Sequence, residues 1–264
     1  MELERYDWVT PEMDAIRRPF GPGDLRGRLE RHGFDSVVLV QTYSSVDETR
    51  GYLELAEETD FVGGVVGWVD LADASVADTI AELREGPGGR RLAGIRHQVH
   101  DEPDPEWLLR NDVRRGLRAV ADAGLAYDLL LRTRELPAGL DTVRALPGLR
   151  FVVDHIAKPP IASGELEPWA RGMAEIARHE HVSCKFSGLV TEADWDSWRP
   201  EDVLPYASRV VEWFGEDRLL FGSDWPVCTV AASYDEVVAL AEQIVGAGNE
   251  RVFGGNAERV YRLS

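Results

Sequence analysis

Short β-branched apolar runs alternate with amphipathic stretches along nearly the whole chain. The apolar runs are "SVVLVQT" (Ser36–Thr42), "GVVGWVDL" (Gly64–Leu71), "LAGIRHQV" (Leu92–Val99), "AYDLLLR" (Ala126–Arg132), "RFVVDHIAK" (Arg150–Lys158), "VSCKFSG" (Val182–Gly188) and "RLLFGSDW" (Arg218–Trp225). Each reads as a buried strand. Between them lie helical patterns such as "DASVADTIAELREG", which opens on a Ser/Asp cap signal and stops at Gly86, and "EWLLRNDVRRGLRAVADAG", which stops at Gly124. Strand and helix in unbroken alternation mean parallel strands joined by crossover helices. An open doubly wound sheet usually carries a glycine-rich turn after its first strand, and "YSSVDE" after "SVVLVQT" has no glycine. The pattern therefore predicts a (β/α)8 TIM-type barrel, a single domain over residues 1–264. Only seven strands are found, and a helix, "DLRGRLERHG", precedes the first of them. On this reading the first strand of the barrel belongs before residue 1.

In such a barrel the chemistry sits at the C-terminal strand ends. Here those ends carry Gln41, Asp70, Arg96-His97-Gln98, Arg132, Asp154-His155 with Lys158, Lys185 with Ser187, and Asp224 with Trp225. "LLFGSDWPV" shows the design best: "LLF" fills the interior, Gly222 and Ser223 allow a close approach, and Asp224 enters the mouth before Trp225-Pro226 turns the chain away. A carboxylate after a strand also serves as a helix cap, but Trp225-Pro226 delays any helix here. His155 could equally bond a carbonyl, and Lys158 and Lys185 could be solvated rim charges. Strand alternation sends Arg96 and Gln98 to one face and His97 to the other, which favours Arg96 and Gln98 as site residues. His100, His179 and His181 read as surface histidines.

Charge and composition narrow the classes. A net charge of −18 argues against nucleic acid or an anionic membrane as partner. No apolar run approaches the ~20 residues of a membrane span. The start "MELERYDWVT" is polar and acidic, unlike a signal peptide. Cys184 and Cys228, far apart and outside any CxxC, read as free thiols in a reducing cytosol, so the expected location is cytoplasmic. No G-x-S-x-G supplies a nucleophilic serine.

Taken together, "VVGWVDL", "GIRHQVHDEPDPEWLL", "FVVDHIAKPPI", "CKFSGLVTEADW" and "LLFGSDWPVC" resemble the amidohydrolase-related lactonases, in particular the L-fuconolactonase/L-rhamnonolactonase group. They are also similar to 2-pyrone-4,6-dicarboxylate lactonase. The resemblance implies hydrolysis of the cyclic ester of a sugar-derived lactone by an Asp-activated water. Asp224 would take the proton from water, across a space from His155 that holds the water and the ester carbonyl. His155 would polarise the carbonyl or, in metal-bearing relatives, ligate the metal. Arg96 would grip substrate, with Gln98, Lys158, Lys185 and Trp225 around it. The family opens with a strand ending in His-x-His, and this chain starts just after that place. A divalent metal such as Zn is thus left open, and none is required by the residues present. Two alternatives stand beside the lactonase: a metal-dependent hydrolase or decarboxylase of the wider family, and a non-catalytic barrel that binds a sugar acid. The expected partner is a small lactone, and a homodimer is left open.

Overall fold

The computed structural model describes residue 6 and residues 8–263; the polar start of the opening loop, residues 1–5 and 7, lies outside them. All seven expected strands form: β1 (Val37–Val40), β2 (Val62–Gly67), β3 (Leu92–His97), β4 (Ala126–Leu129), β5 (Arg150–Val153), β6 (Val182–Phe186) and β7 (Leu219–Phe221). They make one sheet in sequence order, every neighbouring pair parallel. The strands are shorter than the apolar runs because each chain leaves the ladder in the turns that carry the polar residues.

The sheet curls on itself. Val66 of β2, Ala126 of β4, Val152 of β5 and Leu220 of β7 belong to one buried cluster, with Val38 and Val40 of β1 against it. A flat sheet would hold β2 and β7 far apart, at about 4.8 Å per strand. Among the described residues β7 and β1 do not pair, and all four residues of β1 are half-buried. Near this gap Phe34, just before β1, stacks on Phe221 of β7 with ring centres 5.5 Å apart.

The helices are α1 (Pro22–His32), α2 (Val46–Glu58), α3 (Val76–Glu85), α4 (Asn111–Asp122), α5 (Leu136–Ala145), α6 (Trp169–Ala177), α7 (Pro200–Phe214), α8 (Tyr234–Val245) and α9 (Asn256–Tyr261). The sequence pattern does not announce α5, because Pro137 and Gly139 read as breakers. Pro137 stands in the first turn, where the missing N–H costs nothing. Gly139 lets Leu131 approach so closely that a Cβ there would lie 2.7 Å from its Cδ1.

Alternation sorts each strand between two surroundings. Val65, Ile95, Tyr127, Phe151, Val153, Cys184 and Phe186 point outward into the main core that includes the helices. The inward set is apolar at one level and closed from below by Tyr261 at the end of α9. Towards the C-terminal strand ends it becomes polar: Gln41, Arg96, Asp128, Asp154 and Lys185 are all buried. Both cysteines are buried and free. Among the described residues no helix is long and apolar enough to cross a membrane.

Candidate active site

The polar layer is a chain of alternating charge. Tyr261 donates its hydroxyl to Asp128, 2.9 Å away. The Lys185 ammonium lies between Asp128 (2.5 Å) and Asp154 (2.7 Å). Asp154 also accepts from Arg96 Nη1 at 2.8 Å, and Arg96 Nη2 donates to the Gln41 carbonyl. Two acids and two bases thus neutralise one another out of water, where an unpaired charge is costly. Burial acts to raise Asp154, but Lys185 and Arg96 together hold its carboxyl below the usual range. Asp128 has one cation and a phenol, and burial pushes it up to about 6. Burial opposes the Lys185 ammonium, yet Asp128 and Asp154 prevail and raise its pKa.

Above this layer the backbone is unusual. His155, Ile156, Ala157 and Lys158 follow one another with φ of 49°, 47°, 59° and 45°. A left-handed turn of non-glycine residues costs roughly 1–2 kcal/mol per residue. Surrounding contacts hold it in place. Asp154 is anchored by two cations at its entry, Trp169 Nε1 donates to the Ile156 carbonyl at 2.8 Å, and Lys158 Nζ meets Glu192 at 2.6 Å at its exit. The turn presents His155, whose Nδ1 lies 2.9 Å from Ser187 Oγ and whose Nε2 lies 3.8 Å from Asp224 Oδ1. The expected space between His155 and Asp224 is therefore absent; the two stand side by side, because the left-handed turn carries the imidazole across to β7. Asp224 is itself left-handed at φ 54°, with a side chain 14% exposed. Burial raises its pKa to about 6, against the pull of Lys158 and Arg96. Burial also lowers His155 well below its ordinary value, so the ring is neutral.

Gly188 completes the cradle. It has φ +68°, and a Cβ there would fall 2.7 Å from His155 Cβ and 2.8 Å from Nδ1. We expect Gly188→Ala to lose at least ~1–2 kcal/mol of stability from backbone conformation alone, read by urea denaturation. Parent-like stability would mean that the segment relaxes freely.

The remaining candidates occupy three places. Gln98 and Gln41 exchange amide hydrogen bonds of 3.3 Å, and Ser44 donates to Gln98 at 2.8 Å. Lys158 and Glu192 form a pair only 18% and 13% exposed, with Arg132 4.0 Å from Glu192. Trp225 turns outward from Asp224, packing edge-on to Phe20 at 5.2 Å and under the Arg28 guanidinium. His97 points away from the interior, stacked on Trp107 at 4.2 Å and held between the Trp68 indole and Glu102. His100, His179 and His181 are half-buried rather than surface residues. His100 is drawn in because its backbone N–H bonds the Leu130 carbonyl, and His181 Nε2 lies 3.2 Å from the Val143 carbonyl.

The family described as Amidohydrolase matches residues 9–263. The chain belongs to the amidohydrolase family. It is 41% identical to an L-fucono-1,5-lactonase of Burkholderia ambifaria, over 97% of this chain and 90% of the relative. An L-fucono-1,5-lactonase of Burkholderia multivorans is 35% identical over 98% and 91%. A crystal structure of an amidohydrolase from Burkholderia multivorans with bound Zn superimposes with a TM-score of 0.93 at 35% identity, covering 99% of this chain and 95% of that one.

A metal must be weighed against the donors present in this amidohydrolase. A zinc site takes at least three protein ligands. Among the described residues no group of three or more His, Cys, Asp or Glu side chains is placed to hold an ion. His155 and Asp224 are two donors, with the cations of Lys158 and Arg96 close enough to act on both. The described residues do not complete a metal site.

Asp128, Glu192 and Tyr261 border the candidate site without standing out in the sequence. Asp128 had a signal: a carboxylate at an inward position of "AYDLLLR", level with Arg96 on the neighbouring strand. Glu192 and Tyr261 had none, since a loop and a terminal helix bring them in.

Proposed function

We propose that this chain is a hydrolase that opens the cyclic ester of a sugar-derived lactone, with Asp224 as general base. The observation that carries it is a buried carboxylate of raised pKa beside a neutral imidazole, in a chain 41% identical to a sugar lactonase. With a pKa of about 6, Asp224 is ionised at neutral pH and is a better base than an ordinary carboxylate. It takes a proton from water as the water oxygen attacks the ester carbonyl. His155, with Nε2–H towards the reacting centre, donates to the carbonyl oxygen as charge gathers there, a contribution of roughly 3 kcal/mol for a well-placed donor. The ring C–O bond breaks, the departing oxygen takes the proton from Asp224, and a hydroxy acid leaves.

The other residues bind and orient. Gln98, backed by Gln41 and Ser44, offers amide groups to sugar hydroxyls. Lys158 keeps positive charge near the carbonyl, and Trp225 walls the mouth beside Phe20. Arg96 and Lys185 act from the buried layer beneath, fixing Asp154 and through it the turn that carries His155. We propose one barrel-type domain, with the place of a further strand between the edges of β7 and β1, which are unpaired among the described residues.

Titrating the acid released from a panel of aldono-1,4- and 1,5-lactones at constant pH tests the reading. Saturable turnover is expected on at least one of them. Release no faster than spontaneous hydrolysis on every lactone would remove it.

A further inference from the structure

The opposite end of the sheet carries a second polar feature that the proposed reaction does not use. Where the strands begin, a cavity of about 170 Å³ is lined by Arg84, Arg90, Arg91 and Arg262, with Gly63 and Gly124 between them and, among the described residues, no carboxylate on its walls. Arg150 lies beside it, donating to the carbonyls of Gly124 (2.7 Å) and Val260 (2.9 Å). We infer that this cavity is a binding site for a tetrahedral oxyanion of the phosphate class, free or as the phosphoryl group of a metabolite.

Three observations carry the inference. The first is charge. In a chain of net charge −18, five guanidinium groups gather where, among the described residues, only Arg90 has a carboxylate partner, Glu57 at 2.9 Å. Arg84 and Arg91 donate instead to neutral carbonyls, those of Ala123 (2.8 Å) and Gly63 (3.3 Å), and have no carboxylate partner among the described residues. Burial lowers the pKa of Arg150, and Arg262 lowers it further, as expected of like charges held together. The second is a vacancy in the hydrogen bonding. Among the described residues Arg91 Nε is buried without an acceptor, which a native site seldom tolerates. The third is direction. The arginines arrive from the end of α3, the start of β3 and the end of α9, with Arg150 at the start of β5 behind them. Donors converging from several sides suit four oxygens on one centre better than a planar carboxylate, which two parallel N–H groups satisfy.

The test is calorimetric titration of the purified chain with inorganic phosphate, and separately with a hexose monophosphate, at pH 8 and fixed ionic strength. Saturable one-site binding is expected, weakened about tenfold or more in Arg84→Gln/Arg262→Gln, as the loss of a charge-assisted hydrogen bond implies. Both side chains are exposed, so folding is retained, and circular dichroism checks it. Asp224→Asn, at the other end of the sheet, should bind as the parent does. Equal affinity for both ligands assigns the free ion; tighter binding of the sugar phosphate assigns a metabolite. No saturable binding, or binding that survives the double substitution, overturns the site.

Discussion

Asp224→Asn should lower kcat on an aldonolactone by ~10²–10⁴-fold while leaving the fold intact, because it removes the base and keeps the shape. The side chain has little structural work to do: its contacts are Thr191 Oγ1 at 3.4 Å and His155 Nε2 at 3.8 Å, and it is 14% exposed. The parent should also lose rate as pH falls through about 6, since only the ionised carboxylate accepts a proton and burial has raised its pKa to that value. In the Asn variant the acid limb should vanish from whatever rate remains. Initial rates between pH 4.5 and 8.5 for both proteins decide the matter. Near-normal turnover by the variant, or an unchanged acid limb, would return Asp224 to a structural role.

Lys185→Met should be the most destabilising single change in the polar layer, costing about 3–5 kcal/mol. It leaves two fully buried acids, Asp154 with the Arg96 guanidinium and Asp128 with only the Tyr261 hydroxyl. With the ammonium gone, burial raises the folded-state pKa of Asp128 further, against the Tyr261 hydrogen bond that remains. A carboxyl whose folded pKa exceeds its unfolded one holds its proton better in the folded state. The variant therefore gains stability as pH falls and loses it as pH rises through that pKa. Urea midpoints at pH 5 and pH 8 should show a smaller deficit at pH 5. An equal deficit at both would mean that no carboxylate is left uncompensated.

Much of this is legible in the amino-acid sequence. Seven strands follow from apolar runs because a parallel sheet covered on both faces leaves little choice of residue. Arg96 and Gln98 separate from His97 by alternation alone, and the structure keeps that division. What escaped depends on contacts distant in sequence. Asp128 meets Lys185 across 57 residues, and Lys158 meets Glu192 across 34. The run "DHIAK" is apolar enough to look like the end of a strand, yet its backbone turns left-handed, which no local propensity favours. The stray helix α5 was hidden by Pro137 and Gly139, residues whose meaning depends on position within the turn and on what packs against them.

Tyr261 adds a dimension of time. Its hydroxyl completes the hydrogen bonding of Asp128, 133 residues earlier. A chain made from its N-terminus places β3, β4, β5 and β6 long before α9 exists. Until α9 is made, Asp128 has Lys185 but no phenol, and the inner face of the sheet lacks Tyr261 as its floor. A chain that has not yet made α9 therefore already holds Arg96, Lys185 and Asp154, which anchor the His155 turn, but not the phenol that completes the hydrogen bonding of Asp128.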